Sequence, residues 1–112
     1  MSTQRAERRA HPRAHLAARV EVGAEERSFL AVIRNISAGG MQIYTANPAA
    51  VGDRLQLAFA LAENEKTIRV QAVVRNVLPG TAMGVQFENL DAAAAASIRA
   101  FVEQSHDTAP PA

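Results

Sequence analysis

The chain has no cysteine and no tryptophan, a single tyrosine, and Lys66 as its only lysine. Without cysteine there is no disulfide framework, no thiolate nucleophile and no cysteine-ligated metal, and a reducing cytoplasm is the expected setting. No apolar run approaches the roughly 20 residues that cross a bilayer, so no membrane insertion is expected. The opening residues, with Arg5, Glu7, Arg8 and Arg9, lack the apolar stretch of a signal peptide. Without secretion, the acceptor-like triplet Asn35-Ile36-Ser37 carries no meaning as a glycosylation site. Aromatic residues make up only 4%. Phe29, Phe59 and Phe87 fall in apolar strand patterns, which leaves Tyr44 as the one candidate for stacking on a base.

Signatures of catalysis are missing too. His11 and His15 have the spacing of two ligands on a helix, but Pro12 opposes a helix through them and there is no HExxH pattern. His106 stands alone, so no metal site is expected. Ser37 has neither a G-x-S-x-G setting nor a recognisable base beside it. Asp53, Glu63, Glu65, Glu88 and Asp91 fall in turns or at strand ends, where solvated surface acids belong. No glycine loop of the G-x-x-x-x-G-K type is present. The sequence therefore predicts a binding protein, not an enzyme.

What is present fits one domain. The chain has 112 residues and is 48% hydrophobic, enough for a single modest core. Its net charge of +1 hides a bias. Arg5, Arg8, Arg9, Arg13 and Arg19 are opposed only by Glu7 at the start, which points to an anionic ligand there.

From Leu16 onward the dominant period is two. Leu16, Ala18, Val20 and Val22 mark a first strand, and Ser28 to Ile36 a second. Met41, Ile43 and Thr45 mark a third, and Leu55, Leu57, Phe59 and Leu61 a fourth. Ile68 to Leu78 reads as a fifth strand, and Met83, Val85 and Phe87 as a sixth. The period then turns helical through Leu90, Ala94, Ile98, Phe101 and Val102, with Asp91 or Asn89 as the cap. Strands joined by hairpin turns with no helix between them predict an antiparallel barrel or closed sandwich, with the apolar helix face covering one side. Residues 1–13 are expected to form a flexible arginine-rich arm, 14–105 the barrel and helix, and 106–112 a disordered tail.

Two constellations carry chemistry. Arg8, Arg9 and Arg13 cluster just before the first strand, and Pro12 stiffens the approach. A guanidinium fork can grip a phosphate or the O6/N7 edge of guanine through paired hydrogen bonds. The second is Asn35-Ile36-Ser37-Ala38-Gly39-Gly40 at the end of a strand. Asn35 and Ser37 are two apart and so can project to one side. Gly39 and Gly40 permit positive φ and close approach to the backbone. Taken singly, the first is an ordinary solvated tail and the second an ordinary hairpin turn. Arg75, on the fifth strand, is a further candidate whose facing the pattern does not fix.

Together the two constellations resemble the PilZ domain family, whose hallmarks are RxxxR and, some twenty residues later, [D/N]xSxxG. Here these are Arg9-Ala10-His11-Pro12-Arg13 and Asn35-Ile36-Ser37-Ala38-Gly39-Gly40. A late Gly84-Val85-Gln86-Phe87 strand and a C-terminal helix extend the resemblance over roughly Arg5 to Gln104. It implies an all-β fold, a six-stranded antiparallel barrel with a C-terminal α-helix. It implies binding of cyclic di-GMP in place of any cofactor, with Arg9 and Arg13 on phosphates and guanine edges. Asn35 and Ser37 would hydrogen-bond a guanine or its phosphate, and Gly40 would keep the turn open. Asparagine at 35 replaces the commoner aspartate and lacks the charge that pairs best with guanine N1–H and N2–H. Arg8 stands where family members that bind an intercalated ligand pair tend to carry arginine, which implies two molecules per chain. Ordering of the arm would relay the signal to a separate effector protein. The rival readings are a small barrel that binds RNA or single-stranded DNA, which the scarcity of aromatics disfavours, and a PilZ-like interaction module that no longer binds nucleotide.

Overall fold

Alternation of residue type becomes alternation of burial. In the first strand Ala14, Leu16, Val20 and Val22 are buried, while His15, Ala17, Arg19 and Glu21 are exposed. The computed structural model describes residues 13–24 and 27–108. Its strands are β1 (Ala14–Gly23), β2 (Ser28–Ile36), β3 (Gly40–Tyr44), β4 (Arg54–Phe59), β5 (Ile68–Leu78) and β6 (Ala82–Glu88), followed by helix α1 (Ala92–Thr108).

All strand pairings are antiparallel and close a barrel in the order β1-β2-β3-β6-β5-β4. Closure pairs every strand with a neighbour on each side over at least part of its length. The inward residues of every strand meet in one core, where Val20, Val22, Ile33, Ile36, Met41, Ile43, Ala72 and Val74 lose all solvent contact. Burying side chains of this size contributes about 1.5–3 kcal/mol each for the larger aliphatics. Phe59 and Phe87 stack within it at 6.3 Å.

β1 pairs with β4 only over Val20–Gly23. Helix α1 packs on β1 and sends Ile98 and Val102 into the core, with Leu90 and Phe101 against its margin. The Asp91 carboxylate caps the helix by accepting the Ala94 N–H at 2.7 Å. Asn89, the alternative cap, instead turns the chain with φ of 55°.

Two boundaries differ from the sequence expectation. The alternation extends β4 to Leu61, but the strand ends at Phe59, and Leu61 reaches the core from the segment that follows. The helix does not stop at 105; it runs to Thr108. No proline or glycine falls between 92 and 108, so nothing in that span breaks a helix.

Candidate functional site

Strand β2 reads Ile33-Arg34-Asn35-Ile36, with two polar residues where strict alternation allows one. The register resolves the conflict. Ile33 pairs with Ile43 and Asn35 with Gln42, so Arg34 is an extra residue. Strand β1 also carries one extra residue, between His15 and Ala18, opposite the same point. A bulge of this kind re-aims side chains. Arg34 and Asn35 both face outward, while Ile33 and Ile36 both stay in the core.

Asn35 is the centre of the polar cluster that follows. Its Oδ1 accepts from Arg13 Nη1 at 2.8 Å, and its Nδ2 donates to Gln42 Oε1 at 3.1 Å. Gln42 Oε1 also accepts from Arg34 Nη1 at 3.3 Å. The Arg34 guanidinium in turn lies over the ring of Tyr44, 5.9 Å from its centroid. An aspartate at 35 could accept from Arg13 but could not donate to Gln42, so the asparagine joins the two strands as well as holding the arginine.

Ser37 and Gly40 play a different part. Ser37 is only 3% exposed, and its hydroxyl oxygen accepts from the N–H groups of Gly39 at 3.1 Å and Gly40 at 3.3 Å. The Ser37 N–H donates to the Gly40 carbonyl at 2.8 Å, closing the turn. Phe87 N–H donates to the Gly39 carbonyl at 2.9 Å and ties the turn to β6. Neither glycine has positive φ. Gly40 is required for another reason: an added Cβ would collide with the Val85 carbonyl oxygen. The half-buried Asn35 and the buried Ser37 therefore do not present equivalent groups. Asn35 offers its amide at the surface, and Ser37 builds the turn beside it.

A concave pocket of about 350 Å³ opens next to this turn. Arg13, Ser37, Gly39 and Gln42 line one side, and Arg75, Asn76, Gly84 and Gln86 the other. Its lining holds two arginines and no carboxylate, so the charged side chains that line it are of one sign. The larger open hollow of about 1050 Å³ near Arg27, Asp53 and Arg54 carries both signs and none of the motif residues. The arrangement at the turn suits a polyanion that also presents hydrogen-bonding edges.

The structure thus brings Arg13, Asn35, Ser37 and Gly40 together. Arg8 and Arg9 lie outside the described residues. Gln42, Asn76 and Gln86 line the pocket without having been singled out from the sequence, and Arg75 proves to face it. Among the described residues no group of side chains could hold a metal ion, and no helix is long and apolar enough to cross a membrane.

The PilZ domain model matches residues 7–104. No curated protein matches the chain in sequence. Among solved structures, the fold is similar to the Bacillus subtilis inhibitor of motility MotI/DgrA, with a TM-score of 0.80, 21% identity, and coverage of 92% of this chain and 53% of that one. The chain thus spans about half the length of the Bacillus protein. It is also similar to the PilZ domain with c-di-GMP of YcgR from Escherichia coli, at TM-score 0.71, 17% identity, and coverage of 91% and 94% respectively. The K. pneumonia MrkH–c-di-GMP complex matches at TM-score 0.70, 22% identity, and coverage of 86% and 51%.

Proposed function

The chain belongs to the PilZ domain family, and we propose that it is a receptor for the bacterial second messenger cyclic di-GMP, bound in the pocket between Arg13 and Arg75. The observation that carries this reading is the pocket of single sign at the Asn35–Gly40 turn, with two arginines and no carboxylate in its lining. Cyclic di-GMP presents anionic phosphodiesters and guanine edges, the two groups an arginine fork matches with paired hydrogen bonds. The E. coli YcgR domain and MrkH are solved with this ligand, and the shared fold makes it the first ligand to try here. We assign no catalysis and no metal to the site.

Arg9 and Arg8 would join from the arm of residues 1–13. They precede Arg13 by four and five residues, and a chain spans at most about 3.6 Å per residue. Their Cα atoms are therefore held within roughly 14 and 18 Å of that of Arg13. A phosphate entering the pocket competes with Asn35 for the Arg13 guanidinium and draws Arg8 and Arg9 inward. Exchange of the Arg13–Asn35 bond for contacts to ligand would order the arm and offer a changed surface to a separate effector protein in the cytoplasm.

Calorimetric titration with cyclic di-GMP, GTP and a short RNA tests the reading. Saturable heat with cyclic di-GMP alone is expected. Tight RNA binding would replace it with the nucleic-acid reading, and no heat from any ligand to the folded chain would leave a PilZ-like interaction module.

A further inference from the structure

The bulge in β2 has a counterpart on the opposite side of the pocket. Val74 pairs with Val85 and Asn76 with Gly84, which leaves Arg75 as an extra residue in β5. Arg75 and Asn76 both turn outward, while Val74 is fully buried and Val77 packs against the core. Both outward side chains line the pocket that holds Arg13. Arg75 Nε donates to Gln86 Oε1 at 2.7 Å. That bond fixes the guanidinium plane and leaves the Nη1 and Nη2 groups with no partner among the described residues. Asn76 lies across β6, where a Cβ on Gly84 would stand 2.6 Å from its Oδ1.

The surroundings of the two pocket arginines differ. Arg13 adjoins the arm, where Arg8 and Arg9 add charge in sequence. Arg75 sits among neutral carboxamides, Gln86 and Asn76. Accumulated cations suit phosphates, whereas an oriented single fork beside amides suits the edge of a base. Pairing of Asn35 with Gln42, Gln42 with Gly84 and Gly84 with Asn76 sets Asn35, which holds Arg13, and Asn76, beside Arg75, three strand spacings apart. This is no more than about 14 Å at the usual spacing.

We propose that Arg75, held in plane by Gln86, reads guanine and sets the preference of this pocket for guanine over adenine dinucleotides. The inference rests on the cyclic di-GMP reading above. The Nη pair offers donors only. Guanine presents the acceptors O6 and N7 on one edge and satisfies both. Adenine presents N7 beside an N6 amino group, so one arginine donor meets another donor. Gln86 is a positioning residue: without its carbonyl the fork rotates freely and the discrimination declines.

The test is a competition titration of cyclic di-GMP and cyclic di-AMP on the wild-type chain and on Arg75→Ala, Arg75→Lys and Gln86→Ala, with thermal midpoints to show that each variant is folded. The wild type is expected to favour cyclic di-GMP by at least about tenfold. Arg75→Ala should weaken cyclic di-GMP by about ten- to a hundredfold while cyclic di-AMP changes by less than about twofold. Arg75→Lys keeps the charge but not the fork, and should lose the preference as well. Gln86→Ala should reduce the preference part of the way. An equal loss for both ligands would make Arg75 a phosphate contact and overturn the proposal, as would an unchanged affinity for cyclic di-GMP. A wild-type chain that binds neither dinucleotide would overturn the receptor reading and this inference with it.

Discussion

Around the Asn35–Gly40 turn, residues brought close in space carry different tasks. Arg13 is exposed and lends its guanidinium to Asn35 and, in our reading, to a phosphate. Arg13→Ala is expected to weaken cyclic di-GMP binding about ten- to a hundredfold with an unchanged unfolding midpoint in the free chain, measured by titration and thermal melting side by side. Ser37 is the opposite case. Its hydroxyl satisfies the Gly39 and Gly40 N–H groups inside the fold. Ser37→Ala leaves these donors short of an acceptor in a buried turn, a cost of about 1–3 kcal/mol. Denaturant titration of the ligand-free chain should show that loss, and an unchanged midpoint would return Ser37 to a role toward ligand alone. Gly40→Ala should be at least as damaging, because the new Cβ meets the Val85 carbonyl, a backbone atom that cannot rotate away.

At the scale of elements, the barrel was legible in the sequence and its bulges only partly so. Period-two runs such as Leu55, Leu57 and Phe59 place a residue inside and the next outside without further information, and the strands follow them. Arg34-Asn35 and Arg75-Asn76 break that rule with polar doublets between apolar neighbours. A doublet in mid-strand signals a bulge, but only the pairing partner tells which residue is extra, and partners are set by closure of the whole barrel. That is why Asn35, which carries its motif within one strand, was legible as a candidate while Gln42, Asn76 and Gln86 were not: each lies on another strand and reaches the pocket through register. The helix cap, in contrast, is local chemistry. Asp91→Ala should cost about 1 kcal/mol, read from chemical unfolding, because Ala94 N–H loses its acceptor. The larger loss belongs to the helix face. Ile98→Ala removes a side chain with no solvent contact and should cost about 2–5 kcal/mol.

For the whole molecule, the charge distribution decides what the barrel does. The chain's net charge is small, but Arg5, Arg8, Arg9, Arg13 and Arg19 crowd its start, and Arg13 and Arg75 share a pocket lined by no carboxylate. An intercalated ligand pair brings phosphates of like charge together and needs several cations near them. With Arg8, Arg9 and Arg13 available, we expect two cyclic di-GMP molecules per chain. Arg8→Leu should lower the calorimetric ratio towards one while binding persists, and a wild-type ratio of one would remove Arg8 from that role. The central claim is the place of binding, and amide chemical-shift mapping during cyclic di-GMP titration reads it most directly. The largest shifts are expected at Arg13, Asn35 to Gly40, Gln42, Arg75, Asn76 and Gly84 to Gln86. Shifts gathered instead around Arg27, Asp53 and Arg54, or no shifts at saturating ligand, would contradict it.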